Sequence, residues 1–450
     1  MKKNHHRIPD SETEAEAEAN NRQMGRRNFL KFGAASLAAS GISSANATDV
    51  LLPENSESVS VDKSQIITSK VDILVVGGGS AGTIAAIQAG RTGASTMVME
   101  RASYLGGMTT RGGVCYPGLF DAWGKQIIDG VCWELITECV KMDGGTLPDF
   151  SKVAKRHWMN QIHINQFLFY ILAEEKCTQA GVEIAYHESP QQIKETEDGW
   201  QVDCVGFGTQ RRVICKQIID CTGGAEMAGM LGFPRLRSEV RQPGSIQFLL
   251  GKANNPGRPT SDKGAGLLHA IYVHGADSTN SRTVTEASIT GRKAVLDKMR
   301  KTNQRLMHLQ SEPGFRESYR IQGDTVITVQ DYTSGRHFDD AICYAFYPVD
   351  LHTKNGVKPK PLKPGIVPTI PLSALIPKGS RNLIVAGRCV SSDQLANSGL
   401  RVQAPCMAMG QAAACAASLA VKHGTTPGEV PLKEIHALLE KHGAIVPKKS

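Results

Sequence analysis

Apolar residues fall into three patterns along this 450-residue chain, and each pattern implies a different element. Short unbroken runs rich in Val, Ile and Leu, bounded by glycine, read as strands buried on both faces: "KVDILVVGGG", "STMVMER" and "RNLIVAGR". From about 186 to 220 the runs alternate instead, in "GVEIAYHES", "QQIKETEDGWQVDCVGF" and "QRRVICKQIIDCTGG", and "EDGW" predicts a hairpin or meander turn. Helical spacing appears in "KQIIDGVCWELITECVKM", "INQFLFYILAEEKCTQAG" and "GRKAVLDKMRKTNQRLMHLQ". Two further helices, "SAGTIAAIQAGRTG" and "PCMAMGQAAACAASLAVKHG", are made of small and apolar residues and stop at glycine. No internal repeat or sustained heptad is present.

The first strand, the first small-residue helix and the strand "STMVMER" form a βαβ unit, and its turn carries the chemistry. Gly77, Gly79 and Gly82 occupy G-x-G-x-x-G, with Ser80 and Ala81 between them at the helix start. In such a turn the first glycine permits the bend and the second lets backbone N–H groups approach a diphosphate. The third lets helix and strand pack closely, and the helix N-terminus faces the negative charge. Glu100 closes the second strand, where a carboxylate can accept from ribose hydroxyls and would repel a 2′-phosphate. A dinucleotide other than NADP follows; this segment leaves NAD and FAD both open.

Later segments decide between them. "MERASYLGGMTTRGG" puts Gly106-Gly107 just past Glu100, where flavoproteins commonly extend the diphosphate site. "IIDCTGGAEMAGMLG" resembles the second flavoprotein signature, a strand entering a turn at Cys221-Thr222-Gly223. "NLIVAGRCVSSDQLANSGLRVQAPCMAMGQAAACAASLAV" resembles the third, with Gly387-Arg388 ending a strand ahead of a helix under the flavin. Together with "FRESYRIQGDTVITVQDYTSGRHFDDAICYAFYPVDLH", these motifs make most of residues 70–424 similar to the bacterial FAD-dependent oxidoreductase family. The resemblance implies an α/β fold related to glutathione reductase, with a discontinuous Rossmann-like FAD-binding domain and an inserted α+β substrate or cap domain. It implies FAD as cofactor, the binding domain at 69–234 and 376–424, the cap at 235–375, and a C-terminal helix or tail at 425–450.

Individual residues extend that expectation. Pro405 suits the first position of the last long helix, whose positive end can stabilise charge developing on a reduced flavin. Asp393 either bonds a ribityl hydroxyl or caps a local turn. Arg401 and Gln403 precede the helix and either orient flavin O2 or a substrate carbonyl, or merely solvate a loop. Hydride transfer also needs a proton acceptor, and His352, beside Asp350 in "YPVDLH", is the leading candidate because imidazole titrates near neutrality. Arg316 and Arg320 flank "ESYR" and either clamp an anionic or hydroxyl-rich substrate or pair with Glu317 or Asp331; Arg111 is a weaker candidate. No metal site is expected, since neither HExxH nor C-x-x-C occurs, and most of the eleven cysteines read as buried small hydrophobes.

Composition adds the cellular setting. A net charge of +8 spread without clusters gives no reason to expect nucleic acid as a partner. Residues 1–47 differ from the rest: a polar tract leads to Arg26-Arg27, Phe29-Leu30-Lys31, an Ala-rich stretch and Ala45-Asn46-Ala47. That order resembles a twin-arginine signal peptide, followed by a linker at 48–68, and the apolar part is too short for a stable membrane span. The resemblance implies the twin-arginine translocase as a transient partner and a periplasmic or extracellular location, with the signal either cleaved or kept as an anchor. Such substrates cross already folded, which suits a cofactor inserted beforehand. The full expectation is an exported FAD-dependent oxidoreductase moving a hydride between a small substrate, such as a sugar or other hydroxylated compound, and flavin, with an unidentified electron acceptor. A flavin-dependent isomerase or hydratase without net redox change, and a non-enzymatic electron carrier, are the alternatives.

Overall fold

Strand β1 (Ile66–Val76) alternates its last four residues between two cores, Ile73 and Val75 into one, Leu74 and Val76 into the other. A strand buried on both faces must be apolar throughout, which is why "ILVV" shows no polar alternation. The computed structural model describes residues 66–251, 267–302 and 304–448. The export signal expected at 1–47 and most of the linker lie outside the described residues.

Five further strands follow: β2 (Thr96–Glu100), β3 (Glu183–Tyr186), β4 (Ser189–Thr196), β5 (Gly199–Gly206) and β6 (Thr209–Asp220). A second sheet holds β7 (Gly244–Gly251), β8 (Leu267–Val273) and β9 (Arg305–Leu309), and β10 (Leu383–Val385) returns to the first. The first sheet runs β3-β2-β1-β6-β5-β4, with β10 also on β6. Its parallel part is β3, β2, β1, β6 and β10, and β4–β6 form an antiparallel meander that turns at "EDGW". Register positions the site. Val76 pairs with Met99 and with Asp220, and Val385 pairs with Asp220, so four strands end at one level. Ligands of open α/β sheets bind at such carboxyl ends.

Helices α1 (Ser80–Arg91), α2 (Val131–Met142) and α3 (Gln166–Gln179) cover one face with α6 (Gln403–His423). Helix α6 is long and apolar enough to cross a bilayer by composition, yet it is buried in this core. The second sheet, ordered β8-β7-β9 and antiparallel, carries α4 (Ser281–Met299) against Ile246, Phe248 and Leu250 of β7. The intervening Ser245 and Gln247 face the cleft described below, as the period of two requires. Within the span expected to be a cap, Ile327, Tyr332, Phe338, Ile342 and Ile370 join the core of α1 and α6 instead.

Three element boundaries differ from the sequence pattern. "KQIIDGVCWELITECVKM" becomes helical only at Val131, because Gly130 turns the chain at φ 88° and Lys125-Gln126 pairs with Asp121-Ala122. "GRKAVLDKMRKTNQRLMHLQ" splits into the end of α4 and strand β9, where pairing with β7 overrides helical spacing. Helix α6 starts at Gln403, so Pro405 is its third residue rather than its first.

Candidate functional site

A cleft of about 410 Å³ runs along the aligned strand ends, and its lining divides into two chemically different halves. The first is built around the glycine turn. Gly79 caps α1 without any side-chain bond, and no acidic residue stands in the first helical turn, so the helix N-terminus is free to receive an anion. A methyl group on Gly79 would meet nothing within 4 Å, whereas one on Gly82 would lie 1.8 Å from the Gly77 carbonyl oxygen. The two glycines therefore do different work: Gly82 permits helix–strand contact, and Gly79 leaves room over the turn. Gly106 donates its N–H to the Gly78 carbonyl at 2.8 Å, tying the GG turn back to the first.

Glu100 lines the same half. Its carboxylate accepts from the backbone N–H groups of Gly78 at 2.9 Å and Ala102 at 2.8 Å, and Arg111 pairs with it at 3.2 Å. Those donors hold the carboxylate at the strand end. At the end of β6, Asp220 was not picked out from sequence although it belongs to "IIDCTGG". It is fully buried and accepts from Thr222 (N–H and Oγ), Met227 N–H and Ala228 N–H, which fixes the turn presenting Thr222 and Gly223 to the cleft. Arg388 is anchored on backbone, donating to the Gly223 carbonyl at 2.8 Å and to the Phe315 carbonyl at 2.6 Å. Burial pushes its pKa down.

The N-terminus of α6 supplies Val402, Gln403 and Cys406 to the wall. It too lacks a side-chain cap and an acidic residue in its first turn. Gln403 donates to the Val114 carbonyl, and its own buried carbonyl oxygen has no partner among the described residues. Two uncapped helix N-termini, a carboxylate at a strand end and an orphaned amide oxygen are a donor and acceptor set that fits a flavin dinucleotide.

The other half of the cleft is made of side chains from separate segments. Asp350 accepts from the His352 ring (Nε2) at 2.9 Å and pairs with Arg401 (Nη2) at 3.4 Å. The Tyr272 hydroxyl meets the other His352 nitrogen, Nδ1, at 2.6 Å. Because a carboxylate only accepts, Nε2 carries the proton of neutral His352, and Tyr272 donates to Nδ1. Burial lowers the His352 pKa below 6.5; Asp350 pulls it back up and Arg316 pushes it down again. Burial would raise Asp350, but the His352 hydrogen bond and Arg401 outweigh it and keep the carboxyl below the usual range. Gln161 donates to the Tyr347 hydroxyl at 2.9 Å, and burial pushes that phenol up to about 12. Arg316 donates to the Pro243 carbonyl at 2.6 Å and lies over the Tyr272 ring.

Of the residues singled out from sequence, Gly77, Gly79, Ser80, Ala81, Glu100, Gly107, Thr222, Gly223, Gly387, Arg388, Gln403, Arg401 and His352 line this one cleft, as do Arg111 and Arg316. Others stand elsewhere. Gly82 and Gly106 support the turns from behind. Asp393 is a cap: it accepts from Ala396 N–H at 2.7 Å, opening helix α5 (Gln394–Leu400), and from Val329 N–H at 2.6 Å. Arg320 does not line the cleft. It is buried on the Ser392 carbonyl and the Ser238 hydroxyl, because Ile321 and Arg320 pair with Arg235 and Leu236 in a short ladder. Neither Arg316 nor Arg320 pairs with Glu317 or Asp331; Asp331 pairs with Arg336. Tyr347 and Gln161, which line the cleft, and Tyr272, which meets it only through His352, carry no local sequence signal, since each comes from its own element.

The family model for FAD dependent oxidoreductases matches residues 72–264 and 254–439. The chain belongs to that family. This flavoenzyme is thus an FAD-dependent oxidoreductase, and the cradle at Gly77–Ala81 with Glu100 and Gln403 is the part of it suited to FAD. No curated protein matches it in sequence. Among solved structures it is similar to OxyS anhydrotetracycline hydroxylase from Streptomyces rimosus, at 12% identity and a TM-score of 0.46, over 83% of this chain and 66% of the other. A geranylgeranyl bacteriochlorophyll reductase-like protein from Thermoplasma acidophilum aligns at 12% identity and 0.41, covering 83% and 84%. A flavoprotein/dehydrogenase from Cytophaga hutchinsonii aligns at 14% and 0.43, covering 83% of each. The chain spans just under two thirds of the hydroxylase.

Proposed function

We propose that this enzyme moves a hydride between a small hydroxylated organic substrate and FAD, with His352 as the proton acceptor. The observation that carries this reading is the His352 ring held at the cleft between the Tyr272 hydroxyl and the Asp350 carboxylate. Bound FAD supplies the two-electron acceptor, or the donor in the reverse direction. The protein's own part is proton handling. With Nε2–H turned to Asp350, Nδ1 is the nitrogen that takes a proton, either from the substrate oxygen directly or through Tyr272. Asp350 then steadies the imidazolium, and Arg401 keeps Asp350 ionised. Tyr347 and Gln161 give the substrate a hydrogen-bonding wall. The α6 N-terminus would favour negative charge on a bound, reduced flavin, whereas the Gln403 carbonyl oxygen would accept a hydrogen bond from it.

The test is anaerobic mixing of holoenzyme with a panel of sugars, polyols and hydroxy acids while following the yellow flavin absorbance. Bleaching by at least one compound, with a product two electrons more oxidised, supports the reading. A panel that never bleaches the flavin overturns it. We further propose export of the folded holoenzyme by the twin-arginine route, supported by Arg26-Arg27 and the small-residue site ending at Ala47. Retention of an Arg26→Lys, Arg27→Lys variant in the cytoplasm, against export of the parent, checks it.

A further inference from the structure

We propose that the reaction end of the cleft is built for a carboxylate-bearing substrate, whose anionic group sits between Arg316 and Arg401 while its reacting carbon faces His352. This rests on the hydride-transfer reading above and narrows its substrate class.

The argument is a charge balance. At this end the cleft is lined by two guanidinium groups, Arg316 and Arg401, and one carboxylate, Asp350. Burial shifts His352 towards its neutral form, so it adds little positive charge of its own. Asp350 is already committed, accepting from His352 at 2.9 Å and meeting Arg401 only at 3.4 Å. Arg316 has no carboxylate within salt-bridge distance among the described residues; its bond goes to the neutral Pro243 carbonyl and its face to Tyr272. Of the other carboxylates, Glu312 lines the cleft but is paired with Arg111 at 3.2 Å, and Glu317 accepts from Gln242 N–H at 2.8 Å and the Gln394 amide at 2.9 Å. Glu317 does not line the cleft.

A buried cation without a counter-ion is costly, and here two guanidinium groups share one carboxylate, so one positive charge is left for a bound anion to offset. Burial, and then Arg401, push the Arg316 pKa down to about 10. Arg401 also has a buried Nε with no hydrogen-bond partner among the described residues. Two planar guanidinium groups with open N–H positions match a carboxylate better than a hydroxyl, since each can donate to both of its oxygens. The diphosphate of FAD does not supply this anion, as its cradle is the glycine turn at the opposite half.

Calorimetric titration of oxidised holoenzyme with matched pairs decides the question without turnover: glycolate against glycolamide, and benzoate against benzamide. The carboxylate is expected to bind at least tenfold more tightly than its amide, with added chloride weakening only the carboxylate. Arg316→Met should reduce that ratio to within twofold. Equal binding of acid and amide, or no detectable heat from either acid, overturns the proposal; the wild-type ratio alone suffices if the variant fails to fold. The two readings separate cleanly. Carboxylate selectivity without bleaching by any compound of the panel would keep the anion site and sink hydride transfer, whereas bleaching by neutral sugars without selectivity would do the reverse.

Discussion

At one end of the cleft the lining is backbone at Gly79, Ser80 and Ala81, contiguous in the chain. At the other end it is made of side chains of Gln161, Arg316, Tyr347, Asp350, His352 and Arg401, drawn from four separate stretches. The two ends tolerate change differently. A backbone cradle depends on what is missing, since any Cβ in the wrong place closes it. A side-chain cluster depends on mutual bonding, in which each member sets the charge of the next. Binding of the cofactor is thus written into steric room, and the proposed chemistry into an ionisation network.

The largest effect should come from the network. His352→Gln removes the acceptor while keeping a bond toward Asp350, so flavin reduction by a good substrate should slow about 10²- to 10⁴-fold, the usual worth of general base catalysis. FAD content and thermal stability should barely move. A rate within threefold of the parent would remove His352 from the mechanism.

At the cradle, two alanines should behave oppositely. Gly82→Ala drives a methyl to 1.8 Å from the Gly77 carbonyl oxygen and 3.0 Å from the Cys221 Cβ, so β1 and α1 must separate. Overpacking of this kind costs about 3 kcal/mol and should be seen as a lower Tm and colourless protein. Gly79→Ala meets no atom within 4 Å. The apoprotein should keep its Tm, while FAD affinity falls about tenfold because the methyl enters the room over the turn, a loss of about 1.4 kcal/mol. If both variants lose stability alike, the distinction between supporting and ligand-facing glycines is wrong.

A subtler probe is the pH dependence of flavin reduction. A base works only when unprotonated, so the rate should be level at high pH and fall as pH drops through the His352 pKa, which burial lowers from the ordinary imidazole range. Asp350 raises that pKa, and Arg316 lowers it. Asp350→Asn should therefore move the acid limb to still lower pH, and Arg316→Met should move it upward. Opposite displacements from two neighbours are difficult to produce unless His352 is the titrating group. Limbs that stay in place in both variants would assign the titration elsewhere.

These contrasts also explain what could be read from the chain. The turn at Gly77–Gly82, Glu100 at a strand end and the Thr222-Gly223 turn were legible because each packs its requirement into a few consecutive residues. The meander was legible because alternation and "EDGW" are local. Arg320 and Arg401 show the limit. Each is a lone arginine near small polar residues, and nothing nearby says that one is turned into a β-ladder with Ser392 behind it and the other into the cleft. Tyr272 is further out of reach, since its hydroxyl matters only because strand β8 runs beside the loop bearing His352. Helix limits failed where a glycine with positive φ or a strand partner overruled spacing, as at Gly130 and Arg305.

Asp393 gives the smallest and most specific test, because sequence left it between ligand and cap. In the structure its carboxylate accepts from the N–H groups of Ala396 and Val329, joining the start of α5 to the helix at Val329–Ser334. Asp393→Ala removes one N-cap, an effect of about 1 kcal/mol, and should lower Tm by a few degrees with flavin affinity unchanged. Asp393→Ser should restore most of the loss, since a hydroxyl can still accept at the cap. A ribityl-binding carboxylate behaves otherwise: alanine and serine would weaken FAD binding together and leave the apoprotein's Tm alone. Which of the two quantities moves therefore tells whether the cofactor half of the cleft ends at Gly387-Arg388 or extends to the start of α5.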